Sequence, residues 1–213
     1  MVVERSAKGR RPRGGLVEKR EAILRGALTV FAQDGYTRAS IEAISSAAGV
    51  STRTIYNHFE DKAQLFQAVI QGSAARVAES QIAVIEKHLD HVQDLEKDLI
   101  AFGMAWVTPM ADYADHFALV KQINAESGHI PAEAIEAWQK TGPLRVRREL
   151  AYRMMRLADR GLLKVRDADR AALHFGLLIS VADPAFTASE PTPEEIEATV
   201  VSGVHAFLHG YLG

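Results

Sequence analysis

From Leu16 onward, apolar residues recur every three or four positions. Ile23, Leu24, Ala27, Leu28 and Phe31 carry the spacing of an amphipathic helix, which predicts one over 16–34. The tripeptide DGY at 34–36 stops it, with Gly35 at the position that favours a left-handed cap. Ser40 caps a second, short helix over 40–48, whose apolar face is Ile41, Ile44 and Ala48. Gly49 ends it, and Ser51 caps a third over 52–58. Asp61 caps a fourth, with Leu65, Phe66, Val69 and Ile70 on one face. It runs to about His88, a length of about 40 Å at 1.5 Å per residue.

Further periodic segments predict helices near 93–108, 112–127, 131–141, 143–161, 168–183 and 193–211. Pro109, Gly128–Pro131, Gly142–Pro143, Gly161 and Pro184–Pro193 punctuate them. No segment alternates as a strand does, and no internal repeat is visible. The expected fold is all-α, with nine or ten helices. An N-terminal three-helix head is joined by a long helix to a larger helical bundle.

The patterning also divides the chain. Residues 1–15, MVVERSAKGRRPRGG, are basic and nearly devoid of apolar content after Val3, and read as a disordered arm. Residues 16–62 form the head, and 63–213 the larger domain. Charge sharpens this division. The overall net charge is −2, but residues 1–62 hold 11 Lys and Arg against 7 Asp and Glu, a net of +4. The remainder holds 14 against 20, a net of −6. A basic front on an acidic body points to a polyanion partner at one end. The 213 residues contain no cysteine, which excludes disulfides, thiolate metal sites and thiol nucleophiles. The longest nearly apolar run, 171–182, is too short to span a membrane and contains His174. No apolar stretch follows the basic N-terminus, so a secretory signal is not expected either. A cytoplasmic protein is.

The segment GVSTRTIYNHFEDK, 49–62, is the least helical part of the head. Its Thr, Ile, Tyr, Asn and His residues each cost a few tenths of a kcal/mol relative to Ala in a helix. On a helical wheel, Ile55 and Phe59 share an inward face. Arg53, Tyr56 and Asn57 lie opposite, flanked by Thr54 and His58. Every outward residue donates or accepts hydrogen bonds, and none is the Glu or Lys that a merely solvated face favours. Two short capped helices separated by Gly49–Ser51 have helix-turn-helix spacing. Arg bonds guanine edges and Asn adenine edges, while hydroxyls bind phosphates, so double-stranded DNA is the fitting partner.

Residues 22–70 resemble the DNA-binding domain of the TetR (tetracycline repressor) family. The resemblance rests on Phe31, Gly35, Ile44, Ala48, Gly49, Val50, Tyr56, Phe59, Lys62 and Leu65, within FAQDGYTRASIEAISSAAGVS and IYNHFEDKAQLF. It implies that Tyr56, Lys62, Thr37, Ser40 and Thr52 grip phosphates. It also implies that Arg53, Thr54, Asn57 and His58 face the major groove. The basic arm KGRRPRG, 8–14, is either a minor-groove contact or a solvated tail.

For the rest of the chain, the resemblance implies a helical domain that dimerises and encloses a small-molecule pocket. The region from Gly128 to Gly176 looks like AefR-type regulators of that family. The residues support both roles. Helix 169–183 is apolar nearly all round, and the last helix carries a wide apolar stripe. Leu173, Leu177, Val181, Val200, Val204, Phe207 and Leu208 are therefore the candidates for a two-fold interface. Both tryptophans and four of the five methionines fall in 93–161. That concentration suits an adaptable cavity, with Phe102, Trp106, Met110, Tyr113, Phe117, Trp138, Tyr152 and Phe175 as candidate lining. The pairs His88/His91 and His205/His209 have metal-compatible spacing but no third ligand nearby in sequence. No phosphate loop, nucleophile elbow or paired zinc motif is present, so no catalytic residue, metal or cofactor is expected. The expected function is a homodimeric, sequence-specific transcriptional regulator on a palindromic operator. It would be a repressor released by a small apolar or amphipathic effector.

Overall fold

The computed structural model describes residues 14–180 and 191–212. Among them are ten α-helices: α1 (Gly14–Arg38), α2 (Ile41–Ala48), α3 (Thr52–Tyr56), α4 (Lys62–Leu89), α5 (Leu95–Val107), α6 (Ala114–Glu126), α7 (Ala132–Thr141), α8 (Pro143–Asp159), α9 (Ala168–Leu178) and α10 (Pro193–Tyr211). A single 3₁₀ turn, Ala111–Tyr113, precedes α6, and the described residues contain no strand. No described helix is long and apolar enough to cross a membrane. The basic arm before Gly14 and the candidate interface residue Val181 lie outside the described residues.

The chain forms two compact units. The first runs to Ile70 and also takes in Asp115–Ile135; the second comprises Gln71–Ala114 and Glu136–Gly213. In the first unit, Ile23, Phe31, Ile44, Ile55, Leu65 and Phe66 are fully buried or within a percent of it. The Phe31 and Phe66 rings meet edge to face, with centroids 5.0 Å apart. The expected stop at 34–36 is a kink instead. Gly35 breaks the helical backbone at φ 76°, a region open to glycine, and the chain resumes one more turn to Arg38. Ser40 and Ser51 are both N-caps, their hydroxyls accepting from the backbone N–H groups of Ala43 and Thr54.

The second unit is organised around one apolar cluster that includes Ile85, Leu99, Phe102, Met154, Phe175, Val200, Val204 and Phe207. Phe102 stacks on Phe175 at 5.5 Å, and Phe175 meets Phe207 edge to face at 5.2 Å. α10 begins with a reciprocal capping box between Thr192 and Glu195. Arg153 of α8 is buried among Asp90, Glu149 and Glu86, with N···O separations of 3.2, 3.1 and 3.7 Å.

Candidate functional site

The helix-turn-helix is built as the caps foretell. Gly49 adopts the left-handed conformation, φ 65°, closing the turn between α2 and α3. Ile55 and Phe59 are buried at 1% and 4% exposure, which seats α3 on the head and stabilises it by about 1.5–3 kcal/mol per side chain. The opposite side is open. Arg53, Tyr56 and Asn57 are exposed, and Tyr56 presents 57% of its surface. The Tyr56 hydroxyl makes no hydrogen bond among the described residues.

α3 is shorter than the expected 52–58. It ends at Tyr56, with Asn57 as C-cap and His58 in the following turn. The Arg53 carbonyl accepts from the Asn57 N–H, and the Ile55 carbonyl accepts from the N–H groups of His58 and Phe59. The chain thus turns away just past Tyr56, and Asn57 and His58 project from a turn. Thr54 shares its hydroxyl with that of Ser51 at 2.9 Å, which orients both at the start of α3. Thr52 is half-buried at N1 of the helix. Ser40 is exposed and spends one lone pair on capping α2.

Lys62 is engaged within the head. Its ammonium donates to the carbonyls of Tyr36, Thr37 and Ala39 at 2.9, 3.3 and 3.1 Å. It also lies 4.8 Å from the centroid of the Tyr36 ring. An ammonium has three donors, and all three are engaged at the C-terminal end of α1, where orphan carbonyls attract a cation. Lys62 therefore ties the start of α4 to the end of α1.

Thr37 is also engaged. Both its N–H and its hydroxyl donate to Glu126 Oε2 of α6, at 2.9 and 3.2 Å. A side chain at Gly35 would place its Cβ against the Glu126 carboxylate, so glycine there makes room for it. Burial works to raise the Glu126 pKa. The hydrogen bonds from Thr37, a further one from the Tyr36 backbone and the charge of Arg38 prevail and hold it below the ordinary carboxylate value. Glu126 thus takes both Thr37 donors. Sequence periodicity carried no signal for this, since the two residues are 89 positions apart.

In the second unit, a cavity of about 260 Å³ opens beside α8 and α9. Pro143, Val146, Arg147 and Leu150 line it from one face of α8, and Ala172, Leu173, Gly176 and Leu177 from α9. Gln81 of α4 and Trp106 of α5 complete it. Of the eight aromatic and Met residues expected at a pocket, Trp106 alone lines this cavity. Phe102 and Phe175 are fully buried because their rings stack on each other and fill the core. Phe117 belongs to the first unit, beside His116. Tyr152 is 54% exposed, with the Arg153 and Arg156 guanidinium groups over its ring. Tyr113 shares a hydrogen bond with Ser80 at 2.8 Å. Met110 and Trp138 are half-buried and lie elsewhere, the Trp138 indole nitrogen being buried without a hydrogen-bond partner.

The interface candidates divide in the same way. Val200, Val204, Phe207 and Leu208 are at most 5% exposed, packed in the apolar cluster of the second unit. Leu173 and Leu177 are exposed, at 42% and 64%, and Leu178 joins them at 40%. Length and exposure, which periodicity alone could not separate, distinguish the two sets.

Comparison with known proteins matches this geometry. The model for bacterial regulatory proteins of the tetR family covers residues 23–69. That for the C-terminal domain of AefR-like transcriptional repressors covers residues 97–212, more than half of the chain. The repressor AcnR of Corynebacterium efficiens is 37% identical over 83 residues, 38% of this chain and 44% of its own length. BepR of Brucella suis is 36% identical over 95 residues, 43% of this chain and 44% of its own. The chain thus matches less than half the length of these relatives. UidR of Escherichia coli is 26% identical over 199 residues, 91% of this chain and 92% of its own. Among solved structures, a TetR-family transcriptional regulator from Mesorhizobium loti superposes with a TM-score of 0.81 at 27% identity, over 95% of this chain and all of that one. The flavonoid-responsive regulator FrrA does so with a TM-score of 0.72 at 25% identity, over 92% and 98%. With a tetR-type helix-turn-helix at its front and an AefR-like domain across most of the rest, the chain belongs to the TetR family of bacterial regulatory proteins.

Proposed function

We propose that this protein is a homodimeric, cytoplasmic transcriptional repressor that binds a palindromic operator and is released by a small amphipathic effector. The observation that carries the reading is the exposed Arg53–Tyr56–Asn57 surface on a short helix anchored by Ile55 and Phe59. Arg53 and Thr54 would meet base edges, with Asn57 and His58 following from the turn. Tyr56, Thr52 and Ser40 would hold phosphates. One five-residue helix reads few base pairs, so a second copy is needed, placed one DNA turn of about 34–36 Å away. The exposed leucines of α9 supply an apolar surface for that pairing. Residues 16–62 act as the DNA-binding part and 63–213 as the effector-binding and dimerising part.

Release follows from differential affinity. The effector enters the cavity lined by Trp106 and stabilises a conformation in which the head no longer fits its site. FrrA, a relative in fold, is described as flavonoid-responsive, which agrees with an aromatic effector here. Selection of genomic fragments bound by the purified protein, followed by footprinting, tests the reading. A protected inverted repeat supports it. Uniform, sequence-independent binding contradicts it.

A further inference from the structure

We infer that the cavity beside α8 and α9 takes an amphipathic anion, an aromatic carboxylate or a phenolate acid, whose charge is held by Arg147. The inference rests on the reading of that cavity as the effector site and names its ligand class. Positions 143, 146, 147 and 150 form one face of α8, and Arg147 is the one charged residue on a lining that is apolar apart from it and Gln81. Arg145, Arg153 and Arg156 of α8 are paired, with Glu79, with three carboxylates and with Asp90. Arg147 and its neighbour Arg148 are exposed and have neither an ion pair nor a hydrogen bond among the described residues, and of the two only Arg147 lines the cavity. A cavity whose walls are Trp106, Val146, Leu150 and Leu177 and whose one charge is an uncompensated guanidinium favours a ligand with the complementary distribution. Guanidinium is planar and bonds carboxylates through two parallel N–H groups. Gln81 adds one amide donor and acceptor.

Size narrows the class. A cavity of about 150 Å³ holds benzene, so 260 Å³ holds a substituted single ring or two fused rings. Gly176 is part of the lining, and a Cβ added there would meet nothing within 4 Å. A larger side chain at 176 can therefore fill the space without collision.

The test titrates the full-length protein with naphthoate, its neutral isostere naphthamide, and naphthylmethylammonium, by calorimetry. The inference predicts that naphthoate binds about five- to tenfold more tightly than naphthamide, the cation weakest of the three. Arg147→Gln should erase the difference between acid and amide while leaving amide binding unchanged, and Gly176→Leu should block all three. Equal binding of acid and amide, unaffected by Arg147→Gln, overturns the anion assignment and leaves the effector cavity standing. Failure of all three probes overturns both. So does unchanged binding of all three probes in Gly176→Leu, which would place their site elsewhere.

Discussion

Replacing Lys62 by Met removes a charge from the DNA-binding motif while keeping the length and much of the volume of the side chain. If Lys62 gripped phosphate, the loss would fall on DNA affinity. The structure puts the loss on stability. Three N–H···O contacts of 2.9–3.3 Å join the half-buried ammonium to the last carbonyls of α1. Hydrogen bonds from a charged group contribute about 1.5–3 kcal/mol, and a cation at a helix C-terminus about 0.3–1 kcal/mol. These contributions overlap, since the same atoms make both, and the stem still packs in the variant. The expected destabilisation is therefore about 2–3 kcal/mol. At about 2–4 °C per kcal/mol for a chain of this size, melting should fall by about 4–12 °C. The assay is a pair of measurements: thermal unfolding by circular dichroism, and DNA affinity against salt concentration well below the melting temperature. Each neutralised phosphate contributes about 0.9 to the slope of log K against log salt. The slope should stay at the wild-type value. A slope reduced by about 1 with unchanged melting would refute the capping role and restore the phosphate grip.

Glu126→Gln should tighten binding to all DNA sequences about two- to fivefold, because a negative charge leaves the neighbourhood of Thr37; fluorescence anisotropy on specific and scrambled duplexes checks it. The pH dependence has a definite sign. The Glu126 pKa is lowered in the folded protein, so the stability it contributes is present above the unfolded-state value and is lost as pH falls through the lowered one. That acid-side loss should be smaller in Glu126→Gln, as followed by urea unfolding between neutral and acidic pH. Arg153→Met should destabilise by about 2–4 kcal/mol, leaving Glu86, Asp90 and Glu149 without their shared counter-charge, with the effect seen as a lower urea midpoint. Gly176→Ala should raise melting by about 2–4 °C, since its Cβ enters open space and alanine is favoured in a helix by about 1 kcal/mol.

The head was legible where local chemistry decides. Caps, the left-handed Gly49 and the inward Ile55–Phe59 pair all follow from residues within a few positions of one another. Lys62 was not legible, because a lysine that caps a helix and a lysine that binds phosphate look alike until the carbonyls of residues 36–39 are in place. The Thr37–Glu126 contact was hidden for the same reason at longer range. In the second unit, composition pointed to a cavity, and of the residues it suggested Trp106 lines the one beside α8 and α9. Large aromatic rings such as Phe102 and Phe175 fill space by stacking on each other. The cavity forms where the helix surface is small or recessed, at Ala172 and Gly176, and absence of side chain is a weak signal in a sequence. The two apolar helices near the C-terminus read alike, yet α10 turns its stripe into its own core while α9 leaves Leu173 and Leu177 at the surface.

The account rests on the outward surface of α3, and the most direct measurement of it is a titration of a selected operator and a scrambled duplex with wild type, Arg53→Ala and Tyr56→Phe. The account predicts that Arg53→Ala loses about 1–3 kcal/mol on the operator and little on the scrambled duplex. Tyr56→Phe, which removes only a hydroxyl, should weaken both duplexes by a similar factor. Unchanged operator affinity in both variants would contradict the assignment of this surface as the DNA-reading face.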